Sequence, residues 1–153
     1  MENVGQLLKH LETAIPKHEL ADPATSKSSV GWHIEHSLLT IDAIIHALEK
    51  SEPGNYDWRF NFRRTFVFTI NKIPRGRAQA PKRVQPQTEI NFDSLKIHLI
   101  NSTENLKKLD TLKPNNYFEH PFFGKLNLKP TIKFLAIHTR HHLDIIDDII
   151  QSQ

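Results

Sequence analysis

The stretch PTIKFLAIHTRHHLDIIDDII, residues 130–150, decides the fold because its apolar residues recur with the period of an α-helix. Pro130 is tolerated in the first turn of a helix, where its missing N–H costs no hydrogen bond. The pattern predicts a helix from there to about Ile150. One seam along it carries apolar side chains and two histidines at 3-4-3-4 spacing: Leu135, His138, His142, Ile145 and Ile149.

The phase of this helix separates its three clustered histidines. His138 and His142 share the apolar seam, whereas His141 shares a line with Asp144 and is predicted at the rim. Residues at i and i+4 lie one above the other, so two imidazoles at that spacing can bind one metal ion at roughly 2.0–2.1 Å. The alternative is a hydrogen-bonded pair of core histidines, since an unsatisfied buried nitrogen costs about 1–3 kcal/mol.

The rest of the chain adds further helical segments separated by proline-containing loops, here 75–87 and an aromatic connection at 118–126. Residues 66–70 could also form a strand. Together, the helical segments predict one all-α domain over residues 1–153, with four main helices, one accessory helix, long crossover loops and almost no sheet. The predicted helices run from about Asn3 to Ile15, Ser28 or Ser29 to Lys50, Trp58 to Asn71, and Asn91 to Leu109.

A third histidine is predicted to face the same interior. His36 lies on an inward ridge of the second helix, one turn after Trp32. In helical bundles, metal sites are assembled from side chains that project inward from facing helices. Two ligands from the last helix and one from the second would leave a tetrahedral ion an open position for water or substrate. His33 and His46 are the rival ligands on the second helix.

The acidic residues of the second helix, Glu35 and Asp42 among them, fall on its far face and are expected in water. With no acid on the inward ridge, the candidates for a general base are His33 and His141, and Arg59, Arg63, Arg64 or Arg140 could contact an anionic substrate. Four other histidines are expected on the surface or in loops: His10, His18, His98 and His120. Of these, His120 could line a pocket.

Composition narrows the class of protein further. The chain has 153 residues and no cysteine, so disulfides, thiolate metal sites and cysteine nucleophiles are excluded. Its first residues lack the basic-then-apolar pattern of a secretory signal, and no apolar run is long enough to span a bilayer. A cytoplasmic protein without a membrane partner is therefore expected.

Residues 58–88 contain eight Lys or Arg and no Asp or Glu, in a chain of net charge +3. The simplest interpretation is a solvated basic loop, and a small anionic ligand is the first alternative. Nucleic acid is not expected, because the sequence shows neither aromatic platforms among the charges nor a recognisable reading helix. The role of the basic segment from Arg59 to Arg83 stays open.

Three short motifs together resemble one known group of proteins. WHIEH at 32–36 resembles the W-x-x-x-H signature of the DinB/YfiT-like superfamily, and HTRHH at 138–142 resembles its H-x-x-H/R-H signature. HPFFGKL at 120–126 is similar to a connection found in an uncharacterised branch of that superfamily. The likeness covers nearly the whole chain in the right order.

This resemblance implies a DinB-like four-helix bundle with up-up-down-down topology, often a homodimer, whose metal ligands would be His36, His138 and His142. Zinc or nickel is the expected divalent ion. Some relatives use the metal to activate a small thiol such as bacillithiol, mycothiol or glutathione. We therefore expect a metal-dependent thiol transferase acting on a small, anionic thiol. A metal-dependent hydrolase and a non-catalytic stress-response or binding module, with a structural or vestigial metal, are the alternatives.

Overall fold

The computed structural model describes residues 2–76, 80–87 and 89–153, and its α-helices account for most of them, as predicted. The helices are α1 (Val4–Ala14), α2 (Val30–Lys50), α3 (Phe62–Ile70), α4 (Phe92–Leu106) and α5 (Leu128–Gln151). Two strands, β1 (Tyr117–His120) and β2 (Gly124–Asn127), form a small antiparallel sheet. Short 3-10 turns occupy Ile15–Lys17, Pro53–Asn55, Lys82–Val84 and Lys107–Thr111.

Four helices enclose one hydrophobic core. Helix α2 packs against both α4 and α5, and α1 packs against the same two helices. Burial of leucine and isoleucine side chains between them supplies most of the stabilising free energy, at about 25 cal/mol per Å² of apolar area. The packing of α2 against α5 places their facing side chains in one shared interior. The fully buried apolar residues include Leu7, Leu8, Leu11, Ile15, Val30, Ile34, Leu38, Ile41, Ile45, Leu48, Leu95, Leu126, Leu135, Leu143, Ile146 and Ile149.

Side-chain caps set where four of the helices begin. Asn3, Ser29, Asn61 and Asn91 each accept a hydrogen bond from a backbone N–H in the first turn of the helix that follows. Such a cap stabilises a helix by about 1 kcal/mol. Ser29 is one of the two caps predicted for α2. By fixing the start of α2, it also fixes which residues of that helix face inward.

The aromatic segment predicted as a plain connection is instead a hairpin. Tyr117 pairs with Asn127 and His120 with Gly124, and Gly124 adopts a positive φ of 70° at the turn. Four-residue strands are too short for an alternating pattern to stand out in the sequence. The hairpin leads directly into α5, which begins two residues before Pro130 and so keeps this proline in its first turn.

Helix α3 is shorter and more exposed than predicted. It begins at Phe62 rather than Trp58, and the alternative of a strand at 66–70 is wrong. Val67 is its only buried residue. Phe92 is 41% exposed because it opens α4 at the helix end rather than within the packed face.

A cluster of charged side chains joins α2 to α4. From the sequence, the acidic residues on this face of α2 were expected to contact only water. His98 Nδ1 lies 2.9 Å from a Glu35 carboxylate oxygen, and its Nε2 lies 2.9 Å from Asp42 Oδ2. Ser102 Oγ and Asn105 Nδ2 also donate to Asp42. The expectation that these acids and His98 face solvent is therefore wrong. The three side chains form a bridge between two helices.

The environment of this bridge favours a charged histidine. Burial alone would lower the pKa of His98, but hydrogen bonds to Asp42 and Glu35 and their negative charges raise it to about 9. Burial would likewise raise the pKa of Asp42, but hydrogen bonds from His98, Asn105 and Ser102 lower it. His98 is thus an imidazolium at neutral pH, with both N–H groups donating.

We predict that this bridge makes folding stability fall with rising pH. A pKa raised from 6.5 to about 9 stabilises the fold fully below pH 6.5 and is lost as the pH passes through about 9. The free energy of unfolding, from urea titrations across that window, should fall by on the order of 2 kcal/mol.

The control compares two histidines that face different surroundings. His98→Gln should remove most of the pH slope, whereas His10→Gln, at a half-exposed site on α1, should keep it. An unchanged slope in the His98→Gln variant would contradict the assigned charge.

Candidate metal centre

Helices α2 and α5 bring three histidines together in the core. His36 lies on α2, and His138 and His142 lie one turn apart on α5. One nitrogen from each ring lies within 4.8 Å of the others. The ring centroids are 4.6 Å apart for the two pairs that include His142, and 5.1 Å apart for His36 and His138. These are the three residues selected from helical phase, and as a group they could hold a metal ion.

The outer nitrogen of His36 is held by the backbone. Its Nδ1 donates a hydrogen bond of 2.7 Å to the carbonyl oxygen of Val84, in the 3-10 turn Lys82–Val84. A carbonyl can only accept, so this bond assigns the proton to Nδ1 and leaves a lone pair on Nε2. The Trp32 ring stacks on the imidazole at 5.0 Å and restricts its rotation. His36 is therefore set to present Nε2 as a ligand atom.

His142 is held in the same way by another histidine. His33 Nδ1 lies 3.0 Å from His142 Nδ1, and His33 Nε2 lies 2.9 Å from Ser26 Oγ. If His142 donates from Nδ1, His33 accepts there and donates from Nε2 to the serine oxygen. This tautomer leaves Nε2 of His142 free to bind a metal. The sequence also made His33 a candidate ligand. Both of its nitrogens are engaged in the hydrogen bonds to Ser26 and His142, so His33 orients His142 and is not a member of the ligand group.

His138 carries an unsatisfied nitrogen. Its Nδ1 is buried and has no hydrogen-bond partner among the described residues. A buried polar atom without a partner costs about 1–3 kcal/mol. The neighbouring Phe134 ring, 5.7 Å from the imidazole, offers no acceptor. Coordination at this ring is one way to offset the cost, and this is the observation by which the residues present fit a metal ion.

The surroundings keep these rings neutral, which is the form that binds metals. Burial lowers the pKa of His138 and His142 well below the ordinary value of 6.5, and the neighbouring histidines add to the effect. Burial also lowers the pKa of His36, against a smaller rise from its bond to Val84. Burial, and to a smaller extent the neighbouring His36, lower the pKa of His33 to about 4. No proton has to leave these rings near neutral pH before metal binding.

His141 lies at the rim of α5, as predicted. A cavity of about 280 Å³ lies beside it. Burial and the charge of Arg75 lower the pKa of His141. Arg75 also lines the cavity and pairs with Asp148 at 2.7 Å. Arg140 lines it too, and is held by Glu2 and, at 3.8 Å, by Asp144. The remaining lining residues are Asn71, Lys72, Ile73, Ile137 and the acidic Asp144.

His120 belongs to an aromatic cluster rather than to the surface. Its ring stacks on Phe123 at 4.2 Å and meets Phe134 edge-on at 4.8 Å. Backbone N–H groups of Phe122 and Phe123 both donate to its Nδ1. Burial lowers its pKa to about 4. Phe134 separates it from His138, so His120 packs against the wall of the metal centre without joining the ligand group.

The other histidines lie away from the centre. His46, the second rival ligand, is exposed at the far end of α2. His18 hydrogen-bonds the Ile15 carbonyl oxygen, and His10 lies 3.7 Å from Asp147.

The basic residues divide between two places. Arg140 lies by the cavity at His141, but Arg59 and Arg64 line a different cavity of about 400 Å³ next to the hairpin. Trp58 and Phe60, beside Arg59, are exposed. The expectation that no aromatic platforms lie among these charges is therefore wrong.

Comparisons with known proteins add no relative. No family profile, no curated protein and no solved structure matches this chain significantly. Within the described ranges, every helix falls short of the length and hydropathy that crossing a bilayer requires.

We predict that His33 supports metal binding without being a ligand. His33→Ala leaves Nδ1 of His142 without its partner and should weaken metal affinity by about 10–100-fold, the usual effect of losing such a support. His33→Asn, which can still hydrogen-bond, should recover part of it. Affinity is measured by competition with a chromogenic chelator.

His46→Ala is the matched control, since it removes an exposed histidine from the same helix. Equal affinities in the His33→Ala and His46→Ala variants would contradict the supporting role. Complete loss of binding in His33→Ala would instead make His33 a ligand.

Proposed function

We propose that this chain is a DinB-like metalloprotein that holds one zinc or nickel ion on His36, His138 and His142 and transfers a small thiol. The arrangement of nitrogen atoms carries the metal part of the proposal. The motif resemblance at residues 32–36, 120–126 and 138–142 supports the family and the reaction.

The hydrogen bonds argue against a purely structural histidine cluster. In such a cluster the three rings would hydrogen-bond one another. Here the bonds recorded for His36 and His142 go to Val84 and His33, and among the described residues none joins two of the three rings. The outer nitrogens of His36 and His142 are therefore used, and one nitrogen from each of the three rings lies within 4.8 Å of the others. This pattern is the one expected when a cation occupies the centre.

Three neutral imidazoles suit zinc, nickel and other borderline divalent ions. Three protein ligands leave a fourth position open, unlike the four that close a structural zinc site. An ion with an open position supplies a Lewis acid that lowers the pKa of a bound water or thiol toward neutrality. The chain itself supplies orientation, through Val84 and His33, and a neutral-ring environment.

Thiol transfer is favoured over hydrolysis by the polar groups near the centre. Lys72, Arg75 and Arg140 line the cavity by His141 and can contact an anionic group of a cosubstrate. The neutral His141 can accept a proton there. A hydrolase could use His141 as its base but has no carboxylate for this role, since Glu35, adjacent to His36 in sequence, is hydrogen-bonded to His98 at the α4 side.

We predict that metal retention depends on His142 and not on His141. His142→Ala removes one of three ligands and should reduce the metal content of the purified protein from about one equivalent to near zero. His141→Ala should retain nearly the full content, measured by elemental analysis. Equal loss in both variants would contradict the assignment of faces on α5.

We also predict metal-dependent thiol transfer. The zinc- or nickel-loaded protein should accelerate the reaction of bacillithiol, mycothiol or glutathione with a chromogenic electrophile by at least about 100-fold over the apoprotein. His142→Ala should lose this rate. If none of the three thiols reacts faster with the loaded protein, and metal retention is intact, the transferase assignment is wrong while the metal site stands.

A further inference from the structure

Six large apolar side chains form an exposed aromatic patch on and beside α3. Their exposed fractions range from 43% to 74%, at positions where a packed helix would bury them. Large exposed apolar patches usually mark contact with a partner or a membrane. The patch consists of Trp58 (67%), Phe60 (68%), Phe62 (74%), Phe66 (50%), Ile70 (43%) and Phe122 (47%).

Helical spacing and two polar contacts place the members of the patch near one another. Phe62, Phe66 and Ile70 follow one another at i, i+4 and i+8, so they form a single line along the outer face of α3. Asn61 Nδ2 donates to the Phe122 carbonyl oxygen at 2.9 Å, which ties the hairpin turn to the start of α3. The Arg64 guanidinium lies 5.7 Å from the Trp58 ring centre and joins the preceding segment to the helix.

Positive charge surrounds these apolar side chains. Arg59 has 87% of its side chain exposed, and Arg63 is exposed on α3 between Phe62 and Phe66. The neighbouring Asp57 carboxylate is paired with both Arg59 at 2.7 Å and Lys125 at 2.6 Å, so its charge is compensated. The other acid nearby is Glu119, on the hairpin. Of the eight basic residues in the segment 58–88, Arg59, Arg63 and Arg64 lie in or next to the patch, and the segment contains no acidic residue.

We propose that the aromatic patch docks this protein onto the surface of a membrane that contains anionic lipids. Helices of this kind lie in the bilayer interface with Trp and Phe in the headgroup–acyl boundary and Lys and Arg on the phosphates. Each basic residue near an anionic surface adds to the attraction, and tryptophan prefers this interface. The contact is peripheral, so it needs no spanning helix, and it is independent of the metal centre.

Charge and side-chain type favour lipid over the other occupants. A second copy of the same patch would bring the Arg59 and Arg63 pairs of both chains together, and like charges repel. Single-stranded nucleic acid would satisfy the arginines and stack on the aromatic rings. It would, however, leave the aliphatic Ile70 and the continuous line along α3 without a partner. An acyl-chain boundary accommodates all six side chains.

Sedimentation with vesicles tests the proposal, using the full-length protein. Vesicles of phosphatidylcholine with phosphatidylglycerol should bind at least about tenfold more protein than vesicles of phosphatidylcholine alone, and high salt should remove most of this difference. Trp58 fluorescence should shift to the blue on binding, and the shift should disappear in Trp58→Phe, because Trp32, the other tryptophan, is half-buried, stacks on His36 and is not part of the patch.

Double substitutions distinguish binding through the patch from nonspecific binding by exposed apolar side chains. Phe62→Ala with Phe66→Ala, and Arg59→Gln with Arg63→Gln, should each reduce vesicle binding about tenfold or more. Ile97→Ala with Ile100→Ala, which removes exposed apolar side chains from α4 instead, should leave it unchanged. All these positions are exposed, so circular dichroism should show intact folding.

Three results would overturn the proposal. The first is equal binding to both kinds of vesicle, or to neither. The second is tight binding of a single-stranded oligonucleotide that is lost in the Phe62→Ala and Phe66→Ala variant. The third is a dimer in sedimentation equilibrium that the same variant dissociates.

Discussion

Buried imidazole nitrogens must each find a partner, and this requirement shapes the contact between α2 and α5. Val84 and His33 each take the outer nitrogen of one ring, at 2.7 and 3.0 Å. The inner nitrogens are then left facing one another in an apolar interior, where leaving them unsatisfied costs about 1–3 kcal/mol each. A divalent cation could satisfy them together. Without the supports behind the rings, the ligand atoms would have no fixed direction.

The pKa of histidine is shifted in opposite directions on the two sides of α2. On the α5 side, burial among neutral rings lowers the pKa of His33 to about 4. On the α4 side, two carboxylates raise the pKa of His98 to about 9. One face therefore offers uncharged donors to a cation, and the opposite face uses a charged histidine to hold its neighbouring helix. Helix α2 is anchored from both sides, which restrains the position of His36.

Periodicity predicted the elements whose signal is local and long. The 3-4-3-4 spacing in α5 sufficed to select His138 and His142, and the ridge containing Trp32 sufficed to select His36. What the sequence left open depends on contacts between distant segments. His33 reaches His142 across 109 residues and Val84 reaches His36 across 48, so no local pattern announces either bond. The acids of α2 were misplaced because their partner, His98, lies on a helix 56 or more residues away.

X-ray absorption of the zinc- or nickel-loaded protein tests most directly whether three imidazoles share one ion. Its fine structure should require three imidazole nitrogens in the first shell at about 2.0–2.1 Å, with one further light-atom ligand. The His36→Ala variant should give no such spectrum, because loss of one of the three ligands should leave the protein with almost no metal. A shell fitted by oxygen donors with one imidazole or none, unchanged in that variant, would contradict convergence of α2 and α5 on a common metal.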